Sequence, residues 1–473
     1  MPIRRLIKKY PRCGCRDEVD MKDIQLYDYQ REMSERIEAA FRSCQSVMVQ
    51  MPTGTGKTVL LAEQVKREER RVKNPCVWIV VHRRELVEQI KETLDTMLSS
   101  SSSTSGTALS LLSDNSHIKV MSVQWLSRHY QEMEEKPSLI VIDEAHHAVA
   151  KTYKEVMDAY PEAKKLGLTA TPCRLTKRGF TDLFDVLLQS WSAKKFIADG
   201  WLSLYDYMSI REDSEDWRMV NSLKKRGADG DFSLREMSEK MNVQPSIERL
   251  CDTVIRYAAN KKGITYAIDI AHAEHIAEAY RQHGINAVAI SSKTPLEERK
   301  EIIERFKETS IDSKPNYASL SLTKPLDTDV SNKADSTDNT PLAQTNNIQV
   351  LVNVDLFGEG FDCPDVEFIQ LARPTLSLAK YLQQVGRGMR VFEGKKYCLI
   401  LDNVGLYRLF GLPSDDRDWQ AMFEGRVAGK GILTEEVEGL YNIAYSICNE
   451  QERITSDART ELITVMTHEG QRM

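Results

Sequence analysis

The chain has 473 residues, of which 41% are hydrophobic and 7% aromatic, and its 70 acidic and 64 basic residues give a net charge of −6. This composition excludes global disorder and a bulk polycation, while the length suggests about two to four domains of ~100–200 residues each. The nine cysteines are irregularly spaced, which does not indicate a disulfide framework. No apolar run reaches the ~18–20 residues of a membrane helix, and the N-terminus lacks a signal-peptide core. We therefore expect a cytoplasmic protein.

Residues 1–21 form a basic N-terminal tail. The first sixteen residues carry several Lys and Arg but no acid. Such a tail is either a nucleic-acid-binding arm or a solvated segment, and its composition does not decide between them. Cys13 and Cys15 are the only close cysteine pair, and without a second pair nearby we interpret them as incidental thiols.

Residues 22–200 show helices alternating with short apolar strands, a pattern that indicates βαβ units and a parallel sheet. An apolar helix face is predicted after Tyr27, followed by a strand at Val47–Met51. The other predicted strands are Val77–Val81, Lys119–Val123, Leu139–Ile142 and Lys165–Leu168. The predicted helices are Val59–Arg70, Glu85–Leu98 and Tyr153–Ala159.

A connection at 201–245 leads to a second α/β series at 246–425. Its predicted strands are Ile264–Ile268, Ala287–Ile290, Val350–Val354, Glu367–Leu371 and Tyr397–Leu401, and its predicted helices are Ala273–His283 and Leu296–Lys307. The Thr294 to Glu297 run predicts a capping box with proline at the first helical position. Residues 311–347 are rich in Ser, Thr, Asn and Asp, so we predict a disordered insertion there. Residues 426–473 form a C-terminal extension.

The segment from Gln50 to Thr58 lies between a predicted strand and a predicted helix and contains a glycine-rich turn. Backbone N–H groups in such a turn can wrap phosphate oxygens at a helix N-terminus. Lys57 can then reach the β- and γ-phosphates, and the Thr58 hydroxyl can ligate Mg²⁺. The alternative is a glycine turn with a solvated lysine. The predicted nucleotide-binding residues of this segment are Thr53, Gly54, Thr55, Gly56, Lys57 and Thr58.

Asp143 and Glu144 follow the predicted strand Leu139–Ile142 directly. Carboxylates at the C-terminal tip of a parallel strand point into the crevice where ligands bind. Asp143 is therefore predicted to hold Mg²⁺, and Glu144 is predicted to polarise an attacking water. The alternative is a strand that ends in a solvated acidic cap.

The strongest feature of the second half is the run from Gln383 to Arg390. Arg387 and Arg390 are three residues apart and share a helix face, so both can reach one site. Guanidinium groups stabilise the charge that develops in phosphoryl transfer. The alternative is a basic helix paired with surface acids.

With these motifs, residues 24–425 resemble a superfamily-2 helicase of the DEAH type, most similar to RadD-type bacterial DNA helicases and to restriction-system motor subunits. The resemblance implies an α/β protein with two tandem RecA-like domains. It implies that Gln30 reads adenine, that Gly360 and Asp362 connect the bound nucleotide to the nucleic-acid strand, and that Gln383 belongs to the catalytic residues. It also implies coupling to nucleic acid through Arg83, Arg84, Gln124, Thr169 and Thr171. From the residues alone, the two threonine hydroxyls can hydrogen-bond Asp143 or His146.

The expected activity is ATP- and Mg²⁺-dependent movement along nucleic acid, with DNA favoured over RNA, no membrane contact, and protein partners in repair or restriction. A duplex DNA translocase that does not separate strands is the alternative. A restriction subunit that carries its own nuclease is a further alternative, for which Glu393-Gly394-Lys395 fits the spacing but is better interpreted as a tight turn. The last alternative is a non-hydrolysing binding protein, against which the complete set of carboxylates and arginines argues.

Overall fold

The computed structural model describes residues 26–82, 85–99, 117–148, 150–309, 347–356, 362–426 and 462–471. These residues form two parallel-dominated sheets with helices packed on them. Within the described ranges, no helix is both long and apolar enough to cross a membrane.

The first sheet has six parallel strands in the order β3-β2-β4-β5-β1-β6. The strands are β1 Ser46–Gln50, β2 Val77–Val81, β3 Ile118–Ser122, β4 Leu139–Ile142, β5 Lys164–Thr169 and β6 Val186–Gln189. The helices are α1 Asp28–Ala40, α2 Lys57–Arg71, α3 Glu85–Ser99, α4 Val123–His129, α5 Ala150–Ala159 and α6 Ala193–Ala198. Apolar residues fill both faces of this sheet, as parallel sheets require.

The second sheet has seven strands in the order β13-β7-β12-β11-β8-β10-β9, parallel except for β13 at one edge. The strands are β7 Tyr205–Ile210, β8 Gly263–Tyr266, β9 Ala287–Ile290, β10 Val350–Asn353, β11 Phe368–Leu371, β12 Cys398–Asp402 and β13 Leu462–Met466. The helices are α7 Glu215–Asn221, α8 Leu234–Met241, α9 Gln244–Ala258, α10 Ile270–Gln282, α11 Leu296–Glu308, α12 Leu378–Gly388, α13 Tyr407–Phe410 and α14 Trp419–Phe423.

The predicted strands and helices are confirmed to within three residues at each end. The predicted capping box at Thr294 is wrong. The helix begins at Leu296 with Pro295 as its N-cap residue, and no side chain caps it. The Thr294 hydroxyl accepts a hydrogen bond from the Ser291 N–H at 3.1 Å instead, which closes the turn before the helix.

The range 201–245, predicted to be a connection, contains β7, a strand inside the second sheet that pairs with β12 and β13. Strand β13 lies in the C-terminal extension. The basic N-terminal tail, nearly all of the 311–347 insertion and residues 427–461 lie outside the described residues.

The chain returns to the first domain after β12 of the second sheet. The Phe423 ring is 2% exposed and belongs to the same apolar cluster as Trp78, Phe180 and Phe184 of the first domain. The Phe180 N–H donates to the Phe423 carbonyl at 2.7 Å. A Cβ at Gly179 would lie 2.6 Å from that carbonyl oxygen, so the backbones meet without room for a side chain. This strap, residues 411–426, joins the second domain to the first by packing and hydrogen bonding.

Candidate nucleotide-hydrolysis site

The loop between β1 and α2 has the geometry of a phosphate cradle. Gly54 and Gly56 have left-handed backbones, with φ of 88° and 81°, which glycine adopts without a steric penalty. The Thr55 hydroxyl donates to the Pro52 carbonyl at 2.8 Å and holds the turn closed. Helix α2 then begins at Lys57, so its free N–H groups and positive dipole end face the loop. Thr58 lies in the first helical turn.

Helix α1 supports this loop from behind. The Tyr29 hydroxyl and the Gln30 amide nitrogen both donate to the Thr55 carbonyl, at 3.1 and 3.3 Å. Burial raises the pKa of Tyr29 to about 12, so its hydroxyl keeps the proton that it donates. The Gln30 side-chain oxygen accepts from the Tyr27 N–H at 3.0 Å, and the side chain is 1% exposed. Gln30 thus lies against the phosphate loop with both ends of its amide engaged.

An aromatic pair lies beside Gln30 that the sequence analysis did not identify. The Tyr27 ring is 52% exposed and contacts the Trp201 ring with centroids 4.4 Å apart. Trp201 follows the last helix of the first domain and also contacts Tyr29. No local sequence signal links Trp201 to Tyr27, because the two are far apart in the chain.

The acidic residues lie at the end of β4, where the sequence places them. Glu144 adopts a left-handed backbone with φ of 46°, which is unfavourable for residues other than glycine, and such strained residues cluster at active sites. The Lys57 ammonium lies 3.8 Å from the Glu144 carboxylate, and each side chain is little more than one-tenth exposed. The loop lysine and the acidic motif therefore face one small volume.

His146 connects this acidic loop to β5 and to the second domain. Its Nδ1 lies 3.0 Å from the Thr169 hydroxyl and 3.3 Å from a Glu144 carboxylate oxygen. The Thr169 hydroxyl also accepts from the Thr171 N–H at 3.1 Å. The Gln383 amide nitrogen lies 3.4 Å from Nε2 of His146, within reach of a hydrogen bond from the amide to the ring. The hydrogen bond expected between a threonine of this turn and His146 is confirmed.

Helix α12 packs directly on the phosphate loop. A Cβ at Gly386 would lie 2.6 Å from Cβ of Thr53, and a Cβ at Gly54 would lie 3.4 Å from Cγ of Arg390. Gly386 is thus a point of very close approach between the second domain and the nucleotide loop. The next residue, Arg387, is 5% exposed.

The two arginines at the end of α12 lie close together in a buried environment. Burial lowers the pKa of Arg390, the nearby Arg387 lowers it further, and Asp362 raises it. Arg390 donates to the Asp362 carboxylate. Burial raises the pKa of the Tyr266 hydroxyl at the end of β8, and both arginines oppose that rise, so the three side chains share one site.

Lys395 fixes the end of this helix. Its ammonium donates to the carbonyls of Gly388, Pro364 and Arg390 at 2.6, 3.2 and 2.9 Å. Gly394 has a φ of 85°, and the Lys395 N–H donates to the Phe392 carbonyl, so this segment is a tight turn. The lysine of the nuclease alternative therefore stabilises the helix that carries the arginines.

Strand β10 is followed by a second strained residue that the sequence analysis did not single out. Asp355 has a φ of 52°, and its carboxylate accepts two hydrogen bonds of 2.6 Å from the Arg373 guanidinium. The Lys380 ammonium of α12 lies 3.8 Å from Asp355. Arg373 closely follows β11 in the way that Asp143 follows β4. A charged residue after a buried strand was therefore a sequence signal that could have indicated this pair.

The expected coupling residues are only partly within the described chain. Gln124 donates from its side chain to the His82 carbonyl at 2.7 Å, which joins α4 to the end of β2. Gly360 and the arginine pair Arg83 and Arg84 lie outside the described residues.

The donors near the loop suit a hard cation that arrives with a nucleotide. The Thr58 hydroxyl and the Asp143 carboxylate offer oxygen ligands, which Mg²⁺ prefers. Across the described ranges, no group of three or more His, Cys, Asp or Glu residues forms a metal site. Mg²⁺ in phosphoryl-transfer sites does not require one, because phosphate oxygens and water supply most of its ligands.

A phosphate loop on one parallel sheet, closed by arginines from a second, defines a P-loop ATPase with two RecA-like domains. Residues 23–174 match the family model "Type III restriction enzyme, res subunit", and residues 324–392 match "Helicase conserved C-terminal domain". The chain is thus similar to superfamily-2 helicases and restriction-enzyme motor subunits, and it is an ATP-hydrolysing enzyme of the helicase or translocase class.

Individual relatives agree with this assignment. The chain is 28% identical to a 51.5 kDa protein of Lactococcus phage (isolate 7-9), over 88% of this chain and 82% of that one. It is 27% identical to IRC3 of Saccharomyces cerevisiae, named a candidate ATP-dependent helicase, over 83% of this chain and 54% of that one. It is 24% identical to the DNA 3'-5' translocase XPB2 of Sulfurisphaera tokodaii, over 78% of this chain and 79% of that one. The fold matches the DNA-bound restriction-modification enzyme LlaBIII with a TM-score of 0.53 at 14% identity, over 80% of this chain and 28% of that one.

Proposed function

We propose that the chain is a DNA-directed motor in which closure of the two domains completes the ATPase site. The observation that carries this proposal is the contact of Gly386 with Thr53, where a Cβ would lie 2.6 Å from the loop residue. So close a contact brings the arginines of α12 to the phosphate loop when the domains are together. Separation of the domains withdraws them.

We assign the chemistry as follows. Lys57 and the N–H groups of the loop bind the β- and γ-phosphates, and Gln30 and the neighbouring aromatic residues form the base end of the site. Glu144 accepts a proton from the attacking water, and Arg387 and Arg390 stabilise the charge that develops on the transferred phosphoryl group. Thr58 and Asp143 would hold Mg²⁺, which supplies charge neutralisation at the phosphates.

The path from ATP to nucleic acid runs through His146. This ring contacts Glu144, Thr169 and Gln383, so it joins the acidic loop, the β5 turn and the second domain. A change in the phosphate state alters the contacts of Glu144 and hence the position of α12 relative to the first domain. This is a two-state closure biased by nucleotide, the usual device of P-loop motors.

DNA is the proposed track. The res-subunit family model and the name of the XPB2 relative support DNA over RNA. A motor that translocates on duplex DNA without separating strands, within a repair or restriction complex, is the second candidate, supported by the relative named as a translocase. We assign the protein to the cytoplasm because its nine cysteines are irregularly spaced and the six that the structure describes form no disulfide.

The test is ATP hydrolysis measured in parallel with single-stranded DNA, duplex DNA and RNA. We expect DNA to accelerate hydrolysis more than RNA does, and Lys57→Ala to abolish the stimulated rate while the fold survives, as judged by thermal melting. A strand-displacement assay separates the two candidates. Equal hydrolysis with and without every nucleic acid would contradict the proposal.

A further inference from the structure

An exposed basic hairpin lies between α7 and α8, away from the residues assigned to ATP. Residues 224–233 fold back on themselves, because the Ser233 N–H donates to the Lys225 carbonyl at 3.0 Å and the Gly227 N–H donates to the Asp231 carbonyl at 2.8 Å. Its first arm carries Lys224, Lys225 and Arg226, all exposed. The hairpin is a built element and not an open loop.

Internal contacts fix this hairpin without using its lysine side chains. The Glu236 carboxylate accepts from the backbone N–H groups of Lys224 and Lys225 at 3.0 and 2.7 Å, and the second of these bonds is the main cause of the lowered pKa of Glu236. The Arg226 guanidinium lies over the Phe232 ring, 4.6 Å from its centroid. The chain thus orders this backbone while the charged ends of Lys224 and Lys225 remain in solvent.

The hairpin is anchored to the second domain at the start of α12. Asp231 is 2% exposed and accepts from the Thr375 hydroxyl and the Leu376 N–H, both at 2.7 Å. The Lys380 ammonium lies 3.6 Å from Asp231 and 3.8 Å from Asp355, the strained residue after β10. The hairpin therefore adjoins the helix whose other end carries Arg387 and Arg390.

The hairpin also lies against the first domain. A Cβ at Gly230 would be 3.6 Å from the Leu175 side chain, in the loop that follows Thr171. That loop exposes Lys177 and Arg178, and Lys177 has a left-handed backbone with φ of 58°. One loop of each domain, each with exposed cations, thus contacts the other through Gly230 and Leu175.

These two loops carry five exposed cations, in a chain whose net charge is −6. In the part of the chain that the structure describes, none of the five forms an ion pair with a carboxylate. Elsewhere on the surface, cations commonly pair with an acid one turn away, as Lys195 does with Asp199 and Arg235 with Glu239. An unneutralised patch of this kind suits a ligand that carries regularly spaced negative charge.

We propose that this patch, formed by Lys177, Arg178 and residues 224–226, binds the phosphate backbone of the DNA on which the motor moves. The inference deepens the proposed function and rests on it. Phosphate contacts fix position without reading sequence, which is what a motor requires. Because the hairpin bridges the start of α12 and the turn after β5, DNA held there is released or gripped as the domains separate or close.

The test compares the triple variant Lys224→Ala, Lys225→Ala, Arg226→Ala with wild type. The matched control removes three exposed lysines elsewhere, Lys73→Ala, Lys136→Ala, Lys154→Ala, and a second control keeps the charge with Lys224→Arg, Lys225→Arg, Arg226→Lys. Binding of a labelled single-stranded DNA oligonucleotide is followed by anisotropy between about 50 and 200 mM salt. Melting temperatures verify that all variants fold.

We expect the alanine triple to weaken binding about 10- to 100-fold at 0.1 M salt and to reduce the slope of log K against log salt by about 2, because each lost contact removes ~0.7. Both controls should keep the wild-type slope. An alanine triple indistinguishable from the surface control overturns the inference while leaving the proposed function intact. The inference is also overturned if the wild type binds polyglutamate through these residues and the alanine triple binds DNA with the wild-type slope of log K against log salt. A wild type that neither binds nor is stimulated by nucleic acid overturns both.

Discussion

Replacing Gly386 with alanine tests the contact on which the proposed closure depends. The added Cβ would lie 2.6, 2.9 and 3.2 Å from Cβ, Cγ2 and Oγ1 of Thr53, whereas unstrained carbon contacts lie near 3.5–4.0 Å. Cβ of Thr53 is fixed to the backbone, so rotation of the side chain does not relieve the overlap. The helix must withdraw by about 1 Å, and a displacement of that size costs about 100-fold in rate. This corresponds to about 2.7 kcal/mol in the barrier.

Gly386→Ala should slow ATP hydrolysis without lowering the stability of the second domain. Gly386 lies inside α12, where alanine is favoured over glycine by about 1 kcal/mol. Gly388→Ala is the matched control, because its Cβ would lie 2.3 Å from the Cys398 sulfur within the same domain and should lower the melting temperature instead. The assay is steady-state ATP hydrolysis with saturating DNA, together with thermal melting.

Removing the opposing side chain should restore the contact. Thr53→Gly deletes all three atoms that the methyl group added at position 386 would meet. We therefore expect Gly386→Ala to slow ATP hydrolysis less when it is added to Thr53→Gly than when it is added to the wild type. Wild-type turnover in Gly386→Ala would refute the reasoning, as would a double variant that shows the full 100-fold loss.

Three further predictions follow from the site and from the strap. Glu144→Gln should lower stimulated hydrolysis at least ~100-fold while a fluorescent nucleotide still binds, and full activity would sink the assignment of this carboxylate. Gln383→Ala removes the contact to His146 and should lower the ratio of DNA-stimulated to unstimulated hydrolysis, and an unchanged ratio would exclude this route of coupling. Phe423→Ala should reduce the free energy of unfolding by about 3–5 kcal/mol in denaturant titration, whereas Phe392→Ala, at a ring that is 42% exposed, should change it little.

The phosphate loop and the acidic motif could be predicted because their chemistry is local in sequence. Glycines at fixed spacing between a strand and a helix determine where N–H groups point, and a carboxylate directly after a strand must lie at the edge of the sheet. Lys57 and Glu144 accordingly face each other across one small volume.

Strands β6, β7 and β13 were not predicted, because the partners that make them strands are remote. Ser209 and Asp206 interrupt the apolar pattern of β7, yet Ser209 donates to Asp402 at 2.8 Å and Asp206 accepts from His468 at 2.8 Å. A polar residue in a buried strand is satisfied by a partner that the local sequence does not reveal. The same reason hides the Tyr27–Trp201 pair and the approach of Gly386 to Thr53.

The most direct test of the account measures DNA-stimulated ATP hydrolysis in the wild type and in Arg387→Ala side by side. Arg387 belongs to the second domain, whereas the phosphate loop of its proposed site belongs to the first. We predict that DNA accelerates wild-type hydrolysis and that Arg387→Ala loses about 10³-fold or more of the stimulated rate while the protein still binds nucleotide. An Arg387→Ala variant that hydrolyses ATP at the wild-type stimulated rate would contradict a site shared between the two domains.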